Sequence, residues 1–489
     1  MQQFLYQYDV NPTTWVYLSS LLIVAIYFKF NRFWSIRNLD LLGLLALAPG
    51  ILMLAYRGGE TGNTTSPIDA AQDNPTLKEQ GNSSDANPSS RRDGSDSRGS
   101  ADSGTSVKDV QRWGFLLLFG VGFLFLVRLL IDTMLVRRPL LEPNLAPGGL
   151  AFLGIALFVF LMTNVLSAPF PEKDDQQALA ANLGKSEPVV NGSSLAAGHL
   201  EPHLQAVESH PVLRNLPSVP SRAFDNSTIS GHGNWRIPAR IMIVLAHLIV
   251  VLGLLAVGLR HFGNLGTGVA MSSLYLLLPY TAQLVGRVEH VLPPALFVLS
   301  VVAYRRPAIA GFLLTSCLAV MLCPLPLFLF PLWASFYWQR GLGRFTAGVG
   351  CGVIFLAVVL LALEGLETFW SGAAVLLGSA TFGVENASGF WTQSSWIWRI
   401  PVGALFLVVS LAMAIWPAQK NLGTLIACSA VVMLGAQFWY PFNGMMYVHW
   451  YLPLALLTIF RPNLENRIAI ASLGRPRWMR KQEMTPQAA

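Results

Sequence analysis

Long apolar stretches, broken by short polar punctuation, set the pattern of this chain. They recur at 13–30, 39–56, 113–135, 148–168, 238–260, 266–284, 291–304, 308–322, 325–338, 345–364, 400–416, 421–439 and 444–460. Within each run the apolar residues are continuous and do not alternate with polar ones. Continuity selects helices over barrel strands, and about 20 apolar residues suffice to cross a bilayer. The pattern predicts an all-α polytopic membrane protein with about 13 transmembrane helices (range about 11–13). The 291–338 region is short-segmented and rich in proline (Pro293, Pro294, Pro307, Pro324, Pro326, Pro331), which predicts broken or re-entrant helices there.

Charge fixes a threading for these helices. Lys29, Arg32 and Arg37 follow the first run, Arg137 and Arg138 the third, and Arg260 the fifth. Arg305 and Arg306 follow the seventh, Arg340 and Arg344 the ninth, Lys420 the eleventh, and a basic tail from Arg461 the last. Every odd-numbered exit is basic, so the positive-inside rule places the N-terminus outside and the C-terminus in the cytoplasm. The first run is preceded by an acid and followed by bases, the reverse of a cleavable signal, so it reads as a retained helix.

Three regions follow. Residues 1–147 read as a three-helix membrane module whose outer loop, 57–111, is Ser-, Gly-, Asn- and Asp-rich and expected to be disordered. Residues 148–460 form the membrane core, with an outer loop at 169–236 that has room for short surface helices. Residues 461–489 are a basic cytoplasmic tail. Arg128 and Asp132, four apart in "RLLIDTMLVRRPLLEPN", predict an intrahelical ion pair.

Composition agrees with a bilayer: of 489 residues 53% are hydrophobic and 12% charged. The net charge of +7 sits in short loops and does not suggest nucleic acid. Cys317, Cys323, Cys351 and Cys428 all lie in apolar runs without metal or CxxC spacing and read as structural thiols. His199, His203, His210 and His232 lack zinc spacing, so no metal and no cofactor is expected. Asn191 and Asn226 begin glycosylation sequons.

The candidate chemistry gathers on the outer side. It comprises Glu172, Asp174 and Asp175 after the fourth run, and Arg287, Glu289 and His290 in "LVGRVEHVLPP" after the sixth. Glu364, Glu367, Glu385, Arg399 and His449 complete it. A carboxylate can take a proton from an acceptor hydroxyl, while guanidinium and imidazole can stabilise a phosphate leaving group. Each residue also has a plainer reading as a loop ion pair or a solvated side chain.

From about residue 265 the chain resembles the GT-C superfamily of integral-membrane glycosyltransferases. It is most similar to the bacterial polyprenyl-phosphate-mannose-dependent mannosyltransferases. The residues that carry the resemblance are Pro279, "GRVE", "YRR", "AGFLL" and "PLPLFLFPL", in that order, then "VENASGFW" and "FWYPFNGMMYVHWYLPLAL". It departs from the family pattern at Arg287, where Gln is usual, and at Cys323, where Lys is usual.

The resemblance implies inverting transfer of a mannose-like sugar from a polyprenyl-phosphate donor to an extracytoplasmic acceptor, in a bacterial inner membrane. It implies Asp174 or Asp175 as base, and Arg287, His290, Arg399 and His449 at the donor phosphate. Glu289, Trp391, Trp396 and Tyr447 would contact the rest of the substrate. Two readings compete: a non-catalytic scaffold derived from such an enzyme, and a transporter or flippase of a lipid-linked solute. The oligomeric state is open.

Overall fold

A computed structural model describes residues 12–55, 99–132, 141–167, 236–286, 288–321, 325–339, 341–358, 361, 390–391, 396–417, 420–440 and 444–461. Among the described residues every regular element is helical. The α-helices are α1 Pro12–Tyr27, α2 Ile36–Ala55, α3 Gly99–Asp132, α4 Pro147–Ser167, α5 Arg236–Val257, α6 Leu265–Leu277 and α7 Pro279–Gln283. They continue with α8 Val288–Val302, α9 Pro307–Met321, α10 Leu329–Tyr337, α11 Leu342–Val358, α12 Arg399–Ile415, α13 Leu422–Trp439 and α14 Leu452–Ile459.

The sequence accounts for the starts and breaks. Pro12, Pro147, Pro279 and Pro307 open α1, α4, α7 and α9, where a missing N–H costs nothing and the fixed φ suits the first turn. Asn264 caps α6 by accepting from the Thr267 N–H at 3.3 Å, and Asn421 caps α13 by accepting from the Thr424 N–H at 2.7 Å. A π turn, Gly258–Phe262, ends α5, and Gly263 closes it with φ 72°, a conformation that favours glycine.

Each expected apolar run contains a helix, and the discrepancies fall at prolines. The 266–284 run breaks at Leu278–Pro279 into α6 and α7. The 325–338 run opens as a 3-10 turn, Leu325–Phe328, before α10. The 444–460 run opens as a 3-10 turn, Val448–Trp450, before α14. One expectation is corrected: 99–111, read as part of a disordered loop, is the start of α3. Extending a helix already nucleated by the apolar 113–132 stretch is cheap. The rest of that loop and the 169–235 stretch, with its sequons and histidines, lie outside the described residues.

Among the described residues, five helical stretches are long and apolar enough to cross a membrane: Ile36–Leu54, Asp109–Asp132, Pro147–Leu166, Arg240–Phe262 and Leu422–Trp439. Seven shorter apolar helices accompany them. The faces left uncovered are apolar, with Phe152, Ile155 and Val159 exposed on α4, Leu405, Val408 and Leu411 on α12, and Ile354 and Phe355 on α11. Such faces suit lipid and not water, so the bundle fits a bilayer environment.

The packing is built around α6, α13 and α14. Of the apolar window in α13, 94% is buried, against 28% in α3 and in α4, so α13 is the interior helix and those two are peripheral. α13 packs on α3, α10, α12 and α14, while α6 packs on α1, α4, α5 and α14. α8 lies between α5 and α9 and touches the 448–450 turn. Close approach of α9 and α11 depends on Gly311 and Gly348, where a Cβ would meet the Phe345 and Ala308 carbonyls respectively.

The ends with basic exits are tied to one another. The Tyr337 hydroxyl donates to the Tyr304 carbonyl at 2.7 Å, and the His261 ring lies 4.8 Å from that of Tyr304. Lys420 Nζ donates to Ser335 Oγ at 3.0 Å and to the Ala414 and Pro417 carbonyls at 2.9 Å each. Arg37 donates to the Tyr27 and Glu142 carbonyls. Nearby, Arg128 reaches across α3 to α2. Its Nε and Nη2 meet the two Asp40 carboxylate oxygens at 2.7 and 2.9 Å, and its Nη1 meets Asp132 at 3.1 Å. Arg461 Nη2 lies 3.5 Å from the other Asp132 oxygen. The expected Arg128–Asp132 pair is therefore present, as one edge of a buried four-residue network.

Candidate functional site

The 284–290 segment does not lie at the rim of the bundle. Leu284, Val285 and Gly286 are buried, and the Val285 carbonyl is 3.1 Å from His247 Nε2. At the same end, Arg240 of α5 donates to the Leu166 carbonyl near the end of α4. His247 is seven residues further along α5, so the loop is recessed by roughly 10 Å at 1.5 Å per residue. Two features produce the recess. α7 and α8 are short, and Pro279 breaks the helix before the loop.

Three sequence-selected residues meet there. His290, in the first turn of α8, is 2% exposed and stacks on Tyr447 at 5.0 Å and 19°. His449, fully buried, stands edge-on to His290 at 5.9 Å. Tyr447 stacks in turn on Trp450 at 4.1 Å. The plainer reading of His290 as a solvated side chain does not hold.

The loop that presents Tyr447 and His449 is held by Gln437 of α13. Its amide nitrogen donates to the Tyr447 carbonyl at 2.8 Å, and its carbonyl accepts from the Met445 N–H at 3.1 Å. Met445 has φ 70°, unfavourable for a long side chain, and these two bonds help to hold it there. Gly444 backs closely onto the Gln437 carbonyl, leaving no room for a Cβ.

A second tier of polar groups lies against these rings. Tyr280 of α7 is edge-on to His449 at 6.0 Å. The Tyr275 hydroxyl is 3.1 Å from His247 Nδ1. Tyr451, two residues beyond His449 and just before α14, is fully buried. Both ring nitrogens of His449, the hydroxyls of Tyr280, Tyr451 and Thr281, and the Gln283 amide are buried without a hydrogen-bond partner among the described residues. Buried polar atoms in native proteins are nearly always partnered, so such a concentration needs an explanation.

Sequence reading selected His290, Tyr447 and His449 but missed Tyr280, Thr281, Tyr451, His247, Tyr275 and Gln437. The signal for His247 was available: it is an ionisable side chain in the middle of an apolar run. "PYTAQ" likewise places four polar or breaking residues at the end of such a run.

Arg399 and Trp391 bond the carbonyl end of α13, next to Tyr440, whose ring lies 5.9 Å from that of Tyr447. Arg399 Nε donates to the Trp439 carbonyl at 3.3 Å, and Trp391 Nε1 donates to the Phe438 carbonyl at 3.2 Å. Both groups therefore satisfy the carbonyl end of α13, where a cation also suits the helix dipole. Asp174, Asp175, Arg287 and the carboxylates Glu172, Glu364, Glu367 and Glu385 lie outside the described residues. Glu289 and Trp396 are described as helical backbone only. Among the described residues no group of three His, Cys, Asp or Glu is placed to hold a metal ion.

The class that this fold and site define is a helical bundle suited to a bilayer, with a neutral polar cluster recessed from one end. No family model, curated protein or solved structure matches the chain.

Proposed function

We propose that the chain is an integral-membrane glycosyltransferase of GT-C type, moving a mannose-like sugar from a polyprenyl-phosphate donor to an extracytoplasmic acceptor. In this reading it crosses a bacterial inner membrane about thirteen times, N-terminus outside, and the tied basic ends face the cytoplasm. One observation carries the proposal. His290 meets Tyr447 and His449, which come from a distant part of the chain, beside buried polar atoms that lack partners among the described residues. A polar cluster beside apolar outer faces suits a ligand that is part lipid and part polar group.

The chemistry assigns Asp174 or Asp175 to take the proton from the acceptor hydroxyl. The acceptor oxygen then bonds to the anomeric carbon as the carbon–phosphate-oxygen bond breaks, and the electron pair leaves on the phosphate. Arg287, with His290 beside it in the loop, would hold that growing charge. Arg399 in this reading also serves the phosphate and Trp391 the rest of the substrate, and both bond the end of α13 that precedes the Tyr447–His449 loop.

A transporter of a lipid-linked solute is the second reading. It is favoured by further buried polar groups deeper along α5 and α6, where the Tyr275 hydroxyl lies 3.1 Å from His247 Nδ1. Radiolabelled transfer from a polyprenyl-phosphate sugar, in membranes containing wild type or Asp174→Asn, Asp175→Asn and Arg287→Ala, separates the two. Transfer by wild type, lost in Arg287→Ala and in one Asp variant, supports the enzyme. Equal transfer in all four proteins rejects the assigned residues, and donor translocation without transfer supports the transporter.

A further inference from the structure

We infer that Tyr280, His449 and Tyr451 form a subsite for the sugar ring of the lipid-linked substrate, taking a neutral polyhydroxylated group with the phosphate further out at the 284–290 loop. The inference rests on the glycosyltransferase reading and assigns the inner part of that same site.

All three side chains are fully buried. Tyr280 sits edge-on to His449, and Tyr451 lies two residues beyond His449 in the chain. Neither phenol hydroxyl nor either His449 nitrogen has a hydrogen-bond partner among the described residues. Thr281, also fully buried on α7, adds a further unpartnered hydroxyl. Leaving these groups unpaired is costly, so the fold retains them for something that pairs with them.

Their chemistry selects the partner. Tyrosine and threonine hydroxyls both donate and accept, and a neutral imidazole does each at one nitrogen. A sugar ring offers the same mixture in closely spaced hydroxyls. A phosphodiester offers only acceptors and would leave the acceptor sites of this set unpaired. The stacked His290, Tyr447 and Trp450 rings form an aromatic wall that fixes the position of His449 beside them.

The test uses full-length protein in lipid nanodiscs, with methyl α-D-mannopyranoside and methyl α-D-glucopyranoside as probes. Saturation-transfer NMR reads the sugar ring protons, and inorganic phosphate serves as competitor. One glycoside is expected to receive saturation from wild type. The Tyr280→Phe/Tyr451→Phe pair should weaken its binding on the order of tenfold or more, with excess phosphate failing to displace it. Phenylalanine keeps the ring packing, so these variants stay informative even where His449→Leu does not fold.

Absence of glycoside binding, binding unchanged in the double variant, or displacement by phosphate would overturn the inference. The two readings fail separately. Glycoside binding without sugar transfer leaves the subsite and removes the enzyme. Transfer with an unchanged KM in the double variant leaves the enzyme and removes the subsite.

Discussion

Replacing Arg128 by methionine removes the centre of the Asp40–Arg128–Asp132–Arg461 network while keeping most of the side-chain volume. The Asp40 and Asp132 side chains are 3% and 0% exposed, so water cannot take over the role of the guanidinium. Asp40 would lose charge-assisted contacts at 2.7 and 2.9 Å, and Asp132 the one at 3.1 Å while retaining that to Arg461 at 3.5 Å. Removing one partner of a buried pair typically costs about 3–5 kcal/mol, because the remaining charge is uncompensated. Removing both partners is far milder, since apolar residues of similar size replace such a pair at little net cost. Arg128→Met is therefore expected to lose about 3–5 kcal/mol, and Arg128→Met/Asp40→Leu to regain at least half of it. Reversible unfolding in mixed detergent–SDS micelles, followed by tryptophan fluorescence, measures both. A loss below about 1 kcal/mol in the single variant, or a double variant no better than the single, would refute the reasoning.

Other perturbations test other parts of the fold. Gly348→Val should drive α11 away from the Ala308 carbonyl of α9 and lower stability by about 1–3 kcal/mol or more, visible as a reduced Tm in nanodiscs. Gln437→Leu removes both bonds that hold the 444–447 loop and leaves the Met445 N–H unpaired. About 1–3 kcal/mol of stability should go, and KM for the lipid-linked donor should rise more than kcat falls. Lys420→Met deprives the Ala414 and Pro417 carbonyls of their shared donor and should lower Tm, whereas Lys420→Arg should restore much of it. In a cysteine-free background, Ser83→Cys should react with an impermeant maleimide on intact cells and Gly343→Cys only after permeabilisation. The opposite pattern would invert the threading.

Much of the architecture could be read in the sequence because its signals are local. Continuous apolar runs mark the helices, and Pro279, Pro307, Asn264 and Asn421 mark where they start. The shape of the site is not local. Whether the loop at Val285 lies at a surface or beneath it depends on how far α7 and α8 fall short of α4 and α5, which only packing decides. His290 and His449 were legible as candidates because imidazoles are costly beside apolar runs. Tyr280 and Tyr451 were not, because a tyrosine at a helix end reads equally well as an interfacial anchor. Arg128 shows the same limit: its pairing with Asp132 follows from four-residue spacing, while its closer bond to Asp40 crosses 88 residues of chain.

The central claim is that the recessed polar cluster receives the sugar end of a polyprenyl-phosphate donor. Photo-crosslinking tests it most directly, using a donor with a diazirine on the sugar, full-length protein in proteoliposomes, and peptide mapping of the adducts. The account predicts adducts within 279–290 and 444–451 that unlabelled donor suppresses. Adducts confined to the lipid-facing α4 and α12, or to the basic end at 335–344, would contradict it.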